Sequence, residues 1–424
     1  MKNIKLFDTH SEYRAYINSA EAVHKNVSYC RDMNEVHYDR RYYEGEYLTT
    51  EALESGTISF NIWKSMGTDM ITSISYSTDN GDTWTTTNNT DNKSEILQIS
   101  VNVEEGDKVL WKGIATQTGY YDEDDWDEVV GSFFSSDCEY NAYGNVMSLL
   151  HGDDFYGVTS LGNTESTFAH LFYNYYDDES YPIVSAEHLI LPATTLTESC
   201  YQGMFQNCTS LTTAPVLPAT TLANYCYSYM FENCTSLTTA PALPATTLAE
   251  GCYNEMFNGC KALTTAPVLP ATTLATSCYN SMFRGCTSLT TAPELPATTL
   301  ASYCYYYMFS GCTALTTATE LPATTLTNYC YSYMFQDCTV LTTAPVLPAT
   351  TLAQSCYNYM FNGCSRLNYI KAMFTTTPSS SSYTYNWVQN VSATGTFVKN
   401  SAATWTTTGV NGVPTGWTIE RASE

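Results

Sequence analysis

The chain has few basic residues. Its 424 residues include 17 Lys and Arg against 42 Asp and Glu, and the formal net charge is −25. Residues 1–190 hold 33 of the acidic and 11 of the basic residues, which gives −22 there and −3 in the remainder. A nucleic-acid-binding protein needs a basic face, and an anionic membrane surface repels an acidic chain. The composition therefore predicts neither nucleic acid nor an anionic membrane as a partner.

Long apolar runs are also missing. The chain contains no run of about 18 apolar residues, so the sequence predicts no transmembrane helix and no membrane insertion. The segment from Met1 to Asp8 lacks the apolar stretch of a secretory signal peptide. We therefore do not expect export by that route.

Residue types that carry catalysis are scarce and scattered. No phosphate-binding glycine loop, paired-carboxylate site or nucleophile with an adjacent base is present in the sequence. The histidines follow no motif, and none occurs after His188. They are His10, His24, His37, His151, His170 and His188. The sequence therefore predicts a protein that is not an enzyme and that uses no cofactor and no metal.

The dominant feature is a 26-residue unit that occurs seven times in tandem. The copies read L-P-A-T-T-L-x-x-x-C-Y-x-x-M-F-x-x-C-x-x-L-T-T-A, usually followed by proline, and the seventh departs from this only in ending L-N-Y-I. The copies begin at Leu191, Leu217, Leu243, Leu269, Leu295, Leu321 and Leu347. A unit of this length cannot bury its own apolar face, so it stacks on its neighbours. The sequence therefore predicts a solenoid.

Within each copy the apolar spacing predicts a helix followed by a short strand. The fixed apolar residues fall on one arc of a helical wheel, which predicts that they face the core, and the opposite arc varies between copies. In the first copy the arc contains Leu196, Cys200, Tyr201, Met204, Phe205 and Cys208. Leu211 to Ala214 then reads as a strand of three or four residues in a parallel sheet, which Pro215 ends.

The strand-and-helix unit has the layout of a leucine-rich repeat. Its Met-Phe-x-x-Cys-x-x-Leu core, Met204-Phe205 with Cys208 and Leu211 in the first copy, resembles the BspA-type leucine-rich-repeat surface proteins of gut Bacteroidales and their phages. The resemblance covers roughly residues 165–424. It implies an α/β leucine-rich-repeat solenoid and a role in surface display and binding.

Fourteen of the 16 cysteines lie in the repeats. Cys200 and Cys208 would be about 12 Å apart along a helix, and a disulfide tolerates roughly 7 Å between Cα atoms. Cys-x7-Cys is not a zinc spacing either. We therefore expect buried free thiols that act as small apolar residues.

The flanking sequence predicts four further units. They are an N-terminal docking module (1–48), an antiparallel β-sandwich (49–145), a degenerate capping repeat (146–190) before the repeats proper (191–372), and a C-terminal β module (373–424). The strands predicted in the sandwich are 56–63, 72–77, 83–87, 96–103 and 108–114. The acidic run Asp122 to Glu128 reads as a solvated loop, with a calcium site as the alternative.

In the predicted sandwich, Ser77 to Trp84 predicts a tight hairpin and resembles the Asp box of sialidases and related propellers. A sialidase needs an arginine cluster to hold the carboxylate of its sugar. After Arg41 this chain has only Arg284, Arg366 and Arg421. The motif therefore predicts a turn and not an activity.

The outward positions of the predicted helices collect tyrosines among serines and asparagines. The candidate binding residues are Tyr225, Tyr229, Tyr303, Tyr306, Tyr307, Tyr329, Tyr333 and Tyr359. This residue mixture is typical of paratopes, and the expected ligand is a surface glycan or glycoprotein. Alternatively, the rings shield the helices or pack against a second subunit. The threonine ladder at Thr212-Thr213 and its equivalents is the rival site.

Two non-enzymatic functions fit these features. One is a phage virion fibre or decoration protein that docks to other virion proteins through residues 1–48. The segments Val27 to Cys30 and Glu35 to Tyr38 resemble the head segment of phage structural proteins. The alternative is an adhesin or scaffold on a bacterial cell surface.

Overall fold

A computed structural model describes residues 4–7, 27–30, 35–38, 45–63, 71–89, 96–121, 129–173, 183–379 and 382–422. The acidic run at 122–128 lies outside the described residues. At the N-terminus, β1 (Ile4–Phe7) pairs in parallel with β2 (Val27–Cys30), and β2 pairs antiparallel with β3 (Glu35–Tyr38).

The described strands between residues 48 and 145 form two larger sheets and one separate two-stranded hairpin. The strands are β4 (Leu48–Ala52), β5 (Gly56–Trp63), β6 (Ile71–Ser77), β7 (Thr85–Asn88), β8 (Ile96–Val103), β9 (Lys108–Ala115), β12 (Phe133–Ser136) and β13 (Tyr140–Asn145), with the hairpin of β10 (Gly119–Tyr121) and β11 (Val129–Gly131) between β9 and β12. The strands predicted at 56–63 and 96–103 are confirmed.

The smaller sheet has the order β12-β5-β8, and the larger one contains β13-β4-β9-β6-β7. Aromatic rings from both sheets meet in one core. The Trp111 ring of the larger sheet lies 6.2 Å from Phe60 and 5.3 Å from Phe134 of the smaller one. All three side chains are buried.

Helices are scarce in the part of the chain that the structure describes. It contains one α-helix, α1 (Ser148–His151), followed by a 3₁₀ turn (Gly152–Asp154). Neither is long and apolar enough to cross a membrane.

The larger sheet continues directly into the solenoid. β13 pairs in parallel with β14 (Ile183–Ser185) and with β15 (Leu189–Ile190). Single parallel bridges then join Ser185 to Thr213 and Ile190 to Val216 in the first copy. The solenoid therefore uses the sheet of the preceding unit as its first layer.

The segments predicted as helices are chains of tight turns, which corrects the sequence prediction. In the first copy φ is positive at Ser199 (51°), Gly203 (57°) and Asn207 (62°). A right-handed α-helix needs φ near −63° at every residue. The same pattern, positive φ at every fourth residue, recurs in each of the seven copies.

Backbone hydrogen bonds explain why these segments are not helical. The N–H groups of alternate residues donate to the next copy, as Tyr201 does to Cys226 O at 3.0 Å. The intervening N–H groups donate three residues back within their own copy, as Gln202 does to Ser199 O at 3.0 Å. Neighbouring copies are therefore joined by main-chain bonds, whereas an α-helix would use these donors internally.

The buried residues are nevertheless those that the sequence predicts. Cys200, Met204 and Cys208 are buried, and so are Tyr201 and Phe205. A four-residue turn returns every fourth side chain to the same side, and a helix of 3.6 residues per turn does nearly the same. The sequence thus identifies the core residues correctly and assigns them the wrong backbone.

The Leu-Thr-Thr-Ala segments form single parallel bridges and not strands of three or four residues. Thr239 pairs with Thr265, and Thr291 pairs with Thr317. Parallel pairing is confirmed, and the predicted strand length is wrong. In most copies proline follows the alanine, and it has no N–H with which to extend the pairing.

Inside the solenoid, equivalent aromatic side chains stack in two columns. The Tyr201 column has ring centroids 5.8–6.1 Å apart. The Phe205 column has them 5.5–5.8 Å apart. Each stacked pair adds roughly 0.5–1.5 kcal/mol to the burial of its area. Each copy is therefore stabilised by the copies on either side.

The repeat cysteines are buried and free, as predicted. The second cysteine of each copy is more than an apolar filler, however. Cys234 Sγ donates to Phe205 O at 3.1 Å, and the equivalent bonds measure 2.9–3.2 Å. Burial raises the pKa of Cys200 to about 12 and that of Cys312 to about 12. The thiols therefore stay protonated, and one in each copy links two layers.

Residues 382–422 continue the stack, although the sequence analysis separates 373–424 as a β module. Phe361 N–H donates to Trp387 O at 2.8 Å, in the pattern of the repeats. A parallel sheet runs through β16 (Tyr369–Ala372), β17 (Thr396–Lys399) and β18 (Thr418–Arg421). The domain boundaries themselves stay predictions.

Candidate binding surface

The turn positions with positive φ form three columns. The first contains Ser199, Tyr225, Gly251, Ser277, Tyr303, Tyr329 and Ser355. The second contains Gly203, Tyr229, Glu255, Ser281, Tyr307, Tyr333 and Tyr359. The third contains only the small residues Asn207, Asn233, Gly259, Gly285, Gly311, Asp337 and Gly363.

Tyrosine is a costly residue at such a position. The left-handed conformation costs a residue with a Cβ roughly 1–2 kcal/mol, and Gly and Asn adopt it most readily. Tyr303 has φ 58°, Tyr307 55°, Tyr329 58° and Tyr333 59°. The equivalent positions of other copies hold Gly251, Ser277 and similar residues, so the turn itself does not need tyrosine.

Six of the eight predicted tyrosines meet in one cluster. Tyr303 stacks on Tyr329 with ring centroids 4.7 Å apart. Tyr307 stacks on Tyr333 at 4.1 Å, and Tyr333 on Tyr359 at 4.5 Å. We name the tyrosine surface for the six residues of this cluster: Tyr303, Tyr306, Tyr307, Tyr329, Tyr333 and Tyr359.

Tyr306 joins the two columns. Its ring meets Tyr303 edge-on at 5.4 Å, Tyr307 at 4.6 Å and Tyr333 at 5.5 Å. Partial burial, followed by the neighbouring Tyr307, raises the pKa of Tyr306 to about 12. The hydroxyl is therefore protonated at neutral pH, and a hydrogen bond with Tyr307 contributes to its raised pKa.

Tyr225 and Tyr229 belong to the second copy and have no described ring contact with the cluster. The Tyr225 ring lies over Gly251, where an added Cβ would come within 2.4 Å of Cε1. Its hydroxyl donates to Glu250 Oε1 at 3.3 Å. The structure therefore divides the predicted site into one cluster and two outlying rings.

Polar side chains flank the cluster toward the N-terminus. The Arg284 guanidinium lies 5.1 Å from the centre of the Tyr307 ring. Glu232 accepts hydrogen bonds from Gln206 at 2.6 Å and from Asn258 at 2.9 Å. Burial raises the pKa of Glu232, with a further contribution from Glu255. One exposed cation, Arg284, therefore borders the tyrosine surface, and its charge also acts on the half-buried carboxylates Glu232 and Glu255.

Stacking decides which parts of the rings a ligand can reach. Within both columns the planes are nearly parallel, 6–15° apart, so the faces of stacked rings cover one another. Ring edges, hydroxyls and the outer faces of the rings at the column ends remain for a ligand. Tyr303 is the most open ring of the cluster, at 36% exposed, and the other five are half-buried.

Tyr385 and Arg284 extend the surface and are missing from the sequence prediction. Tyr385 is 41% exposed and meets Tyr359 edge-on at 5.2 Å. It follows the seventh copy, where the spacing between equivalent positions is one residue longer, since Tyr333 N–H donates to Asn358 O and Tyr359 N–H donates to Tyr385 O. The continued Tyr-x-x-Val pattern after Tyr383 is a signal that could have found it.

The rival threonine ladder is also exposed. Thr238, Thr264, Thr290 and Thr342 are exposed at one face of the solenoid, and their neighbours pair between copies. The ladder has the same residues in six copies, so it offers uniform chemistry along the array.

The hairpin at Ser77 to Trp84 forms the predicted turn. Thr83 N–H donates to Asp79 Oδ1 at 2.8 Å, and Ser77 Oγ donates to the same oxygen at 2.7 Å. Hydrogen bonds from Thr83, then from Ser77, lower the pKa of Asp79 to about 2. The carboxylate is thus used to hold the turn, and Lys112 Nζ lies 4.0 Å from the centre of the Trp84 ring.

Comparison with family models gives one match. The family described as BspA type leucine rich repeat region matches residues 176–264 and 250–390, in six copies. The two ranges together cover just over half of the chain. Searches of curated proteins and of solved structures found no match.

Proposed function

We propose that this chain, which belongs to the BspA-type leucine-rich-repeat family, is a non-catalytic protein that attaches to a host surface through its tyrosine surface. The ligand is a cell-surface glycan or glycoprotein. Leucine-rich repeats of this type are binding or structural units, and the tyrosine surface supplies a specific place for binding.

The observation that carries this proposal is tyrosine in a backbone conformation that disfavours it. Strained residues persist where the surrounding structure holds them, and they gather at ligand-binding sites. In this chain the same turn is built with Gly251, Ser277 or Ser355 in other copies. Tyr225 and Tyr229 have the same strain but lie outside the cluster. The stacking of four strained tyrosines in two adjacent copies is what favours a ligand over the fold as the explanation.

The chemistry of the surface favours a hydroxylated or mixed ligand over a charged polymer. Rigid tyrosine rings give contact area at low entropic cost, and nearby Ser and Asn give adaptable hydrogen bonds. The array contains few charges, about −3 for residues 191–424. Electrostatic attraction therefore contributes little to binding.

We also propose that the protein is carried on a phage virion as a fibre or decoration protein. Residues 1–48, which include β1 to β3, would dock to other virion proteins. The resemblance of Val27 to Cys30 and Glu35 to Tyr38 to phage head segments supports this location. A surface adhesin or scaffold of a bacterial cell is the second candidate, favoured by the family match alone.

The binding role is tested with a serine variant of the cluster: Tyr303→Ser, Tyr307→Ser, Tyr329→Ser and Tyr333→Ser. Serine is the residue that other copies use at these positions, so the turns should fold normally. Binding of the purified full chain to host cells should fall at least tenfold. The matched control is Tyr225→Ser with Tyr229→Ser, which should bind as the parent does.

Sedimentation of both variants addresses the alternative that the rings pack against a second subunit. If the serine variant of the cluster loses an oligomer that the parent forms, the tyrosine surface is a subunit interface. Undiminished binding by a folded cluster variant would rule out the tyrosine surface as the site. For the location, mass spectrometry of purified phage particles should find the chain, and its absence would favour the cellular candidate.

A further inference from the structure

We propose that Tyr303 is the stacking platform of a single saccharide subsite, which takes one neutral pyranose ring of the ligand. This inference rests on the proposed function and names the ligand chemistry of the same surface. It follows from the way the two tyrosine columns begin.

The first column begins at Tyr303 and is open on the side of the preceding copy. Tyr329 covers one face of the ring at 4.7 Å, and Tyr306 meets its edge at 5.4 Å. The preceding copy has Ser277 at the equivalent position, and no third ring among the described residues contacts Tyr303. One ring face therefore remains for a ligand.

The second column begins differently. The Arg284 guanidinium lies over the Tyr307 ring at 5.1 Å, which occupies the face that would otherwise be open. The rings that follow are stacked on both sides or on their edges. Tyr303 and Tyr329, the two ends of the first column, each have one face without a ring contact among the described residues, and Tyr303 is the more exposed, at 36%.

The polar groups beside this face suit a sugar. An aromatic face is electron-rich, so it attracts the weakly positive C–H groups on the flat side of a pyranose. Ser281 Oγ donates to Asn280 Oδ1 at 3.0 Å, which leaves the Asn280 amide hydrogens as donors for a ligand. Asn280 occupies in the fourth copy the position that Tyr306 occupies in the fifth. Both therefore lie near the place where Ser277 gives way to Tyr303 in the first column.

Charge favours a neutral sugar over an acidic one. Arg284 is the one basic side chain of the fourth copy, and its charge already acts on Glu232 and Glu255. A carboxylate of the ligand would have to displace these groups. A neutral pyranose needs only the ring face and hydrogen-bond donors. Both are present where Ser277 precedes Tyr303 in the first column.

The test uses methyl glycosides of glucose, galactose, mannose and N-acetylglucosamine with the full chain, observed by ligand-detected NMR. At least one should bind, and its axial ring protons should shift upfield because an aromatic ring lies against them. Tyr303→Ser should weaken that binding at least tenfold. The matched control, Tyr225→Ser, has the same backbone conformation, φ 53°, and should bind as the parent does.

The failures of the two proposals are distinguishable. If no glycoside binds while the chain still attaches to host cells, the saccharide platform is wrong and the binding role stands. Binding that survives Tyr303→Ser, or that shows no upfield shift, also overturns the platform. If the chain attaches to no host cell at all, the proposed function itself fails.

Discussion

The inner and outer sides of each turn segment differ in what fixes their residues. On the inner side Cys, Tyr, Met and Phe recur without change in seven copies and are buried. On the outer side the first and second columns vary between Gly, Ser, Glu and Tyr at one backbone conformation. Packing against identical neighbours therefore fixes the inner residues. The outer positions are free for function, at a cost in backbone strain.

The comparison is tested most strongly by truncating one inner ring. Phe283→Ala should lower the free energy of unfolding by about 3–5 kcal/mol, because Phe283 is fully buried and stacks on rings of both neighbouring copies. Urea unfolding followed by circular dichroism measures the loss. The outer control Ser277→Gly should change stability by no more than about 0.5 kcal/mol. Similar losses in both variants would refute the distinction.

His170 offers a second test. It has the positive φ of the outer positions, but its side chain is buried where the repeats meet the preceding unit. Its φ is 58°, and burial lowers its pKa to about 4. Below pH 6.5 the unfolded chain takes up a proton that the folded chain refuses, so stability should fall as pH drops from about 6.5 to about 4. The total effect is about 3 kcal/mol.

Urea midpoints at several pH values measure this dependence on His170. The His170→Asn variant keeps a residue that tolerates positive φ and should show a flatter pH profile than the parent. Carboxylates act equally on both proteins, so the difference isolates the imidazole. Parallel profiles would mean that the imidazole is not buried as described.

The two cysteine columns sharpen the comparison within the inner side. Cys278→Ser should cost about 1–3 kcal/mol, because its hydroxyl would be buried where the thiol donates to no carbonyl among the described residues. Cys286→Ser should cost less, because Cys286 Sγ already donates to Phe257 O at 3.1 Å and a hydroxyl can do the same. Thermal unfolding of both variants ranks the losses, and the reverse order would contradict the role of the second thiol.

The prediction with the smallest expected change in stability distinguishes a turn from a helix at one residue. At Tyr329, φ 58°, the glycine variant should be more stable than the alanine variant by about 1 kcal/mol, because glycine relieves the left-handed strain. In a helix the order would be reversed, with alanine favoured by about 1 kcal/mol. Both variants lack the tyrosine ring, so the difference in stability between Tyr329→Gly and Tyr329→Ala reports the backbone conformation. A more stable alanine variant would restore the helical interpretation.

Local pattern predicted the sheet region well. The strands at 56–63 and 96–103 have the predicted bounds, because alternation of apolar and polar residue types follows from the two-residue period of the strand itself. The turns were predicted as helices because a period of four and a period of 3.6 are close over ten residues. The Asn, Gly and Asp residues of the third column are the sequence signal for positive φ that separates the two.

The sequence by itself determined the repeat, the buried side of each copy, the buried thiols and the family. These depend on residue types that recur at a fixed spacing. Only the tertiary structure decided the backbone of the turns, because half of their N–H groups bond to carbonyls about one copy away, as Tyr201 does to Cys226. It also decided which tyrosines form one surface, since ring stacking between Tyr307 and Tyr333 depends on the register of adjacent copies.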